Sequence, residues 1–277
     1  MSAKILDGKV LSEIVKSNIK QEIEKLSIKP CLAVVMVGND PASKIYVRNK
    51  QKACEAVGIK SKTIKLDSIT KEQLIKEIDK LNRDESIHGI LLQLPLLKDL
   101  PEQEILQCID SKKDVDGFHP INMGKLVIGL DAFVPCTPAG ILRMMDLSHI
   151  SLEGLHAVVV GRSNIVGKPI SQLLLQRNAT VTTCHSYTRN LKEIIRQADV
   201  LIAAVGKPHF ITADMIKPGA VVVDVGINRL GNGKIVGDVD FDNAKEIAGY
   251  ITPVPGGVGP MTVAMLMENV LKASCKK

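Results

Sequence analysis

The sequence predicts a two-domain α/β protein built on parallel sheets, and three observations predict it. Short runs of β-branched and aliphatic residues, such as Cys31–Val37 and Val158–Val160, have the length and composition of buried strands. Longer stretches between such runs carry apolar residues at three- and four-residue steps, as amphipathic helices do. This alternation occurs twice, on either side of an irregular stretch at residues 110–136 rich in Asp, Gly and Pro. Strand–helix–strand alternation implies parallel strands with covered faces. A chain of 277 residues with 45% hydrophobic content has enough apolar surface for one large or two modest domains. The expected domains are residues 1–119 and 120–277.

In chain order, Leu11, Ile14, Val15, Ile19, Ile23 and Leu26 form the apolar stripe of a first helix that Pro30 stops. Cys31–Val37 is a buried strand, and Gly38-Asn-Asp-Pro41 is its turn. A helix follows over Ser43–Val57, then a strand over Ser61–Leu66. Thr70 starts the next helix, with Gln73 three residues on in a capping-box pattern. Ile87–Leu92 is a strand closed by Gln93-Leu-Pro95. Thr137–Leu147 is a connecting helix. The second series opens with a strand at Ala157–Val160, a turn at Gly161 and a helix over Ile170–Gln176, with Pro169 suited to its first turn. Further strands are expected at Thr180–Thr183, Val200–Val205 and Ala220–Val225. Gly231-Asn-Gly233 marks a loop or hairpin, Ile251–Pro260 a rigid turn, and Met261–Lys272 a last helix.

Composition excludes several classes of function. Trp is absent and aromatics are 3%, so stacking platforms for single-stranded nucleic acid are not expected. The net charge of +6 is mild, and no block of like charge forms an interaction tail. Cys31, Cys54, Cys108, Cys136, Cys184 and Cys275 are scattered without a C-x-x-C, and the histidines lack ligand spacing, so neither a disulfide framework nor a metal site is expected. No apolar run reaches the ~18 residues of a spanning helix. The first thirty residues are charged and helical in pattern, unlike a signal peptide. These features point to a cytoplasmic protein with no membrane or nucleic-acid partner.

Ligands of open α/β sheets bind beyond the carboxyl ends of the strands. There the sequence places Gly161-Arg-Ser-Asn-Ile-Val-Gly-Lys-Pro169, a strand, turn and helix start whose backbone N–H groups and helix dipole suit an anion. The spacing is not G-x-G-x-x-G, and a plain turn that needs glycines for its geometry remains an alternative. After the next strand the chain reads Thr183-Cys-His-Ser186, with Arg189 close by and no acid to grip a ribose hydroxyl. Together with Arg162, these residues favour the 2′-phosphate of NADP. In the first half, Tyr46 and Lys50 lie four apart on one helix face, and Gln93 ends a strand of the same sheet. They form a candidate proton-transfer group, although helical lysines are more often solvated surface charges. Lys113-Asp-Val-Asp-Gly117 resembles part of a calcium loop. With Gly117 at the invariant glycine, however, Lys112 and Met123 would occupy ligand positions, which excludes calcium. Its carboxylates remain candidates for pairing with a donor-rich ligand edge, or for plain turn residues.

Four strings resemble a known family. Pro255-Gly-Gly-Val-Gly-Pro-Met-Thr262, Gly89-Ile-Leu-Leu-Gln-Leu-Pro95, Lys113-Asp-Val-Asp-Gly117 and Gly161–Pro169 are similar to the motifs of bifunctional methylenetetrahydrofolate dehydrogenase/methenyltetrahydrofolate cyclohydrolase, in its bacterial two-domain form. The resemblance runs from about Ile5 to the last helix. It implies an N-terminal folate-binding catalytic domain, a C-terminal Rossmann-like NADP-binding domain, and an active site in a cleft between them. It also implies a homodimer and a last helix, 261–277, that returns to the first domain. By motif, Lys50 matches the family's catalytic lysine, Tyr46 its stacking tyrosine, Gln93 its lysine-tuning glutamine and Asp116 its pterin-binding aspartate. Gly161, Arg162, Ser163, Ser186 and Ile227 match its cofactor contacts. Pro255, Gly256 and Gly257 match a turn whose backbone approaches the substrate. The implied activities are oxidation of 5,10-methylenetetrahydrofolate and hydrolysis of the product in one-carbon metabolism. Two rivals stand beside this reading: a dehydrogenase without the hydrolytic step, and a dinucleotide-sensing binding protein. Lys50 argues against the first, and the joint presence of Tyr46, Lys50, Gln93 and Asp116 against the second.

Overall fold

The computed structural model describes residues 2–275; Met1, Lys276 and Lys277, at the ends of the expected domains, lie outside the described residues. The elements run β1 (Lys4–Ile5), α1 (Gly8–Glu24), β2 (Cys31–Val37), α2 (Pro41–Val57), β3 (Lys60–Leu66), α3 (Lys71–Arg83), β4 (Gly89–Gln93), α4 (Glu102–Leu106), α5 (Pro120–Val127) and α6 (Cys136–Leu147). They continue with β5 (His156–Val160), α7 (Gly167–Gln176), β6 (Thr180–Cys184), α8 (Leu191–Ile195), β7 (Val200–Ala203), β8 (Val221–Asp224), β9 (Asn228–Arg229), β10 (Ile235–Val236), α9 (Phe241–Ala244), β11 (Tyr250–Ile251) and α10 (Val258–Cys275). Two compact units result, one of Glu13–Cys136 with Val263–Lys277, the other of Met1–Ser12 with Thr137–Thr262.

The first unit holds a three-stranded parallel sheet in the order β3-β2-β4. Its central strand has Leu32, Ala33, Val34 and Val35 fully buried, as a strand covered on both faces requires. Ala33, Val35, Leu74, Ile78, Ile90, Leu92 and Ile105 pack into one core. α2 starts where Asp40 accepts the Ser43 N–H at 2.6 Å and Pro41 occupies the first turn. It stops at Gly58, whose φ of 88° suits glycine. The capping box of Thr70 and Gln73 is formed at the start of α3. Beside β4, Ile90 bridges Asp114 in parallel, so the Lys113–Gly117 segment runs along the sheet edge.

The second unit holds six parallel strands in the order β1-β11-β8-β7-β5-β6, with β9 and β10 as a separate antiparallel hairpin. β1 and β11 have two residues each, too short for any periodicity to reveal. Their pairing, Lys4 with Tyr250 and Ile5 with Ile251, places the first residues of the chain in this unit. The division between units therefore follows Cys136 rather than residue 119, and the opening twelve residues belong with the second unit. Residues 120–136 are not wholly irregular either. α5 lies among them, started by Pro120 and by the His119 ring, whose Nδ1 accepts the Ile121 N–H at 3.1 Å. Histidine is not a usual cap residue, which hid this helix from a reading of the sequence. α1 ends at Glu24, well before Pro30, and its buried stripe is Ser12, Val15, Ile19 and Ile23, with Ile14 left 45% exposed.

At the start of α1, Gly8 packs on the backbone of Gly257, and Lys9 N–H bonds the Gly256 carbonyl at 3.2 Å. A Cβ on Gly8 would lie 1.7 Å from the Gly257 oxygen. In most helices Gly→Ala stabilises, by about 0.5–1 kcal/mol. Here Gly8→Ala is expected to reverse that sign and cost about 1–3 kcal/mol, as overpacking against backbone does. Urea unfolding of the purified variant checks it, and a rise in stability would show that the contact yields freely.

Candidate active site

Two groups of side chains stand out, one in each unit. In the three-stranded unit, α2 carries Lys50 towards the end of β4, and Lys50 Nζ donates to Gln93 Oε1 at 3.0 Å. Gln93 is 8% exposed, and its Nε2 donates to the Leu94 carbonyl at 2.7 Å, which fixes the amide so that its oxygen faces the lysine. Tyr46 lies one turn earlier on α2 and is 44% exposed, leaving a ring surface open to a ligand.

The two acids of the Asp-Val-Asp-Gly string separate in role. Asp114 is buried, and its Oδ2 accepts His119 N–H at 2.8 Å and Asn122 Nδ2 at 2.9 Å, so it braces the turn into α5. Asp116 is turned towards Lys50 and Cys136. Burial pushes its carboxyl above the ordinary range, the Lys50 charge pulls it down, and Asp114 pushes it up. Burial and the neighbouring Asp116 raise the Cys136 thiol well above its usual value, so it is a neutral thiol rather than a nucleophile. Gly117, at a φ of 78°, leaves no room for a Cβ, which would lie 2.6 Å from Pro135 N.

α10 completes this group. Asn269 Nδ2 donates to the carbonyls of Val115 at 2.9 Å and Val134 at 3.0 Å, tying together the segments that carry Asp116 and Cys136. Lys272, further along α10, pairs with Asp131 and donates to the Ala132 carbonyl at 2.7 Å. Neither Cys136 nor Asn269 was among the residues expected from the sequence. A lone Asn in an apolar helix and a scattered Cys carry no spacing signal.

In the six-stranded unit the expected residues gather at the carboxyl edge of the sheet. Gly161, Arg162 and Ser163 follow β5, and Ser186 follows the adjacent β6. Ile227 lies beyond β8 and Pro255, Gly256 and Gly257 beyond β11. Gly161 has a φ of 135°, and a Cβ there would lie 2.2 Å from the Ala204 oxygen. A Cβ on Gly167 would lie 2.2 Å from the Gly161 oxygen. The turn is thus a bare-backbone cradle. Ser163 Oγ accepts the Val166 and Gly167 N–H groups at 3.2 and 3.4 Å, so the start of α7 is capped from within the turn. Arg162 is exposed, with its guanidinium 5.7 Å from the Tyr187 ring centre. The segment from Cys184 to Arg189 contains no carboxylate. This donor set fits a phosphate-bearing dinucleotide. The Pro255–Gly257 turn has a packing role, since Gly8 rests on it.

Asp224, the last residue of β8, is 2% exposed. Its carboxylate accepts the N–H groups of Gly226, Asp238 and Val239, each at 2.9 Å. Burial raises its carboxyl to about 6, opposed by those three N–H groups and reinforced by Asp238. An unfolded Asp ionises near pH ~3.9. The folded chain therefore holds this proton over a window in which the unfolded chain has released it. The associated stability is present below about pH 4 and is lost as pH rises through about 6, to the extent of roughly 3 kcal/mol. Carboxyl-carbon NMR titration of Asp224 is expected to show a midpoint near 6. A midpoint in the ordinary range would show that the N–H groups outweigh burial.

Comparison with known proteins places the chain among relatives. Residues 6–116 match the family model described as the tetrahydrofolate dehydrogenase/cyclohydrolase catalytic domain, and residues 135–277 match the model of its NAD(P)-binding domain. The bifunctional protein FolD of Bacillus cytotoxicus is 55% identical over 278 aligned residues, covering 99% of this chain and 97% of that protein. The crystal structure of the FolD dehydrogenase/cyclohydrolase from Campylobacter jejuni superposes with a TM-score of 0.97 at 50% identity, covering 99% of both chains. The Trypanosoma brucei methylenetetrahydrofolate dehydrogenase-cyclohydrolase, solved with NADP cofactor and inhibitor, superposes with a TM-score of 0.94 at 35% identity over 100% of both chains.

Proposed function

This chain belongs to the tetrahydrofolate dehydrogenase/cyclohydrolase family, and from that premise we infer its chemistry. It is a bifunctional enzyme that oxidises 5,10-methylenetetrahydrofolate to 5,10-methenyltetrahydrofolate with NADP and hydrolyses the product to 10-formyltetrahydrofolate. We propose that both steps use one folate site built on Tyr46, Lys50, Gln93 and Asp116. The observation that carries this proposal is the Lys50–Gln93 hydrogen bond at 3.0 Å, made beside Asp116.

The residue roles follow from the chemistry of each step. Bound NADP accepts the hydride. The nitrogens flanking the bridging carbon stabilise the cation left behind, so this step asks the chain for alignment rather than for a base. Tyr46 offers a flat face for the pterin, and Asp116 accepts hydrogen bonds from its amino edge. Hydrolysis is different. Water adds to the amidinium carbon and loses a proton, and a ring nitrogen gains a proton as its bond to that carbon breaks. Lys50, oriented by the Gln93 oxygen, is placed to move that proton. In the other unit, the Gly161 cradle receives the pyrophosphate, Arg162 and Ser186 receive the 2′-phosphate, and Ile227 and the Pro255–Gly257 turn border the ligands. A homodimer, a cytoplasmic location and the absence of nucleic-acid or membrane partners complete the proposal. The family resemblance supports the homodimer. The six unpaired cysteines suit a reducing compartment, and among the described residues no helix is long and apolar enough to cross a membrane.

Lys50→Met keeps most of the side chain's length but cannot carry a proton. Cyclohydrolase activity is expected to fall about 100- to 10,000-fold, while dehydrogenase activity persists and methenyltetrahydrofolate accumulates. The ratio of the two rates decides. Equal collapse of both would make Lys50 a binding residue instead.

Arg162→Ala is expected to weaken NADP more than NAD by about 1.5–3 kcal/mol, because NADP alone presents the 2′-phosphate for a charge-assisted bond. Titration with each cofactor checks it. An equal loss would move Arg162 to the shared pyrophosphate.

A further inference from the structure

A second buried acid lies beneath the loops assigned to the cofactor. Asp238 follows β10 and is 0% exposed. Its Oδ2 accepts the backbone N–H groups of Val205 at 2.6 Å and Gly206 at 2.9 Å. Its Oδ1 accepts Lys207 N–H at 3.0 Å and Asn228 Nδ2 at 2.9 Å. Val205, Gly206 and Lys207 leave the carboxyl end of β7, and Asn228 directly follows Ile227. Three successive N–H groups turned towards one point form an anion nest, and here the protein's own carboxylate fills it.

The surroundings are shaped for this carboxylate. A Cβ on Gly226 would lie 2.3 Å from Asp238 Oδ1, and one on Gly237 would lie 1.8 Å from Asp224 Oδ2. Two glycines thus give way to two acids. The Asp238 N–H bonds Asp224 Oδ1 at 2.9 Å, and the Asp224 N–H bonds Thr252 Oγ1 at 2.8 Å, which links the loop after β11 to the same cluster. Next to the nest, Ala204 is the residue whose carbonyl abuts Gly161. A run of direct contacts therefore joins Asp238 to the phosphate turn on one side and to Ile227 on the other. A buried carboxylate is tolerated only when its acceptor sites are filled, and the donors that fill these come from the two loops in question.

We propose that Asp238 is a positioning residue for the dehydrogenase step, its carboxylate setting the loops at residues 205–207 and 226–228 that border the dinucleotide site. The proposal rests on the assignment of Gly161, Arg162, Ser163, Ser186 and Ile227 to NADP. Asp238 itself is fully buried, with its two oxygens turned to the loop N–H groups and Asn228. Its effect is on the shape of the cofactor site, not on the proton chemistry of hydrolysis, whose residues lie in the three-stranded unit.

The test is made on the full chain with both activities measured. Asp238→Asn turns one acceptor oxygen into a donor that faces N–H groups. The KM for NADP is expected to rise roughly 10- to 100-fold, with kcat at saturating NADP close to wild type. The cyclohydrolase rate, which needs no dinucleotide, is expected to be unchanged. Should Asp238→Asn not fold, Asn228→Ala removes a single donor and is expected to give a smaller rise in KM with the same split. Arg162→Ala, at an exposed side chain, reports on the cofactor assignment separately. An unchanged NADP affinity in Arg162→Ala overturns that assignment and this inference with it. Lost affinity in Arg162→Ala beside wild-type affinity in the Asp238 and Asn228 variants overturns this inference alone. An equal fall of both activities in a folded Asp238→Asn protein also overturns it, by showing a general structural role.

Discussion

In a parallel sheet, the segment that leaves the carboxyl end of each strand has no hairpin partner to hold it. Its backbone N–H and carbonyl groups still need partners wherever they are buried. Ligands bind at that same edge, so what holds these segments also shapes the site. Both units of this protein meet the constraint with a few buried polar side chains rather than with extra strands. In the three-stranded unit, Gln93 fixes the end of β4 through the Leu94 carbonyl, and Asn269 ties the Val115 carbonyl to that of Val134. In the six-stranded unit, Asp224 and Asp238 collect the N–H groups that leave β7 and β8, and Thr252 joins the loop after β11.

The two units differ in which kind of group does this holding, and the difference suits the chemistry on each side. Around Lys50 the bracing groups are mostly neutral amides and carbonyls, with Asp116 as the acid beside the lysine. Below the Gly161 turn the bracing groups are buried carboxylates, each occupied by backbone N–H donors from the loops. The acids are sunk below the edge, while the exposed rim presents Arg162 and Ser186 and, between Cys184 and Arg189, no carboxylate. A surface acid there would repel a phosphate. A buried one, saturated by N–H groups, shapes the backbone at much lower electrostatic cost.

Glycine serves the same end where backbone must meet backbone. Gly161 against Ala204, Gly167 against Gly161, and Gly8 against Gly257 are contacts that any Cβ would break. They account for the glycines around Gly161 and Pro255 by backbone packing alone. The glycines at 226 and 237 belong to the same set, since they make room for the two acids.

The sequence by itself determined the longer elements, the parallel class and the residues with a local pattern. β2, α2, α3 and β5 show in runs of aliphatic residues, in Asp40 and Pro41, and in the Thr70–Gln73 box, because strand burial and helix capping act over a few neighbouring positions. Tyr46, Lys50, Gln93 and the Gly161 turn stand out by helix spacing, strand ends and glycine content, whereas Asp116 is singled out from Asp114 only by the motif resemblance, which also assigns the roles. Only the tertiary structure decided what depends on residues far apart in the chain. It joined β1 to β11, divided the units at Cys136, and gave Asp114 its partners, His119 N–H and Asn122. It brought Asn269 to Val115 across 154 positions and Asp238 to Val205 across 33. A buried Asn or Asp has no periodic signature, because its partners are backbone groups, and every residue but proline supplies the same N–H and carbonyl.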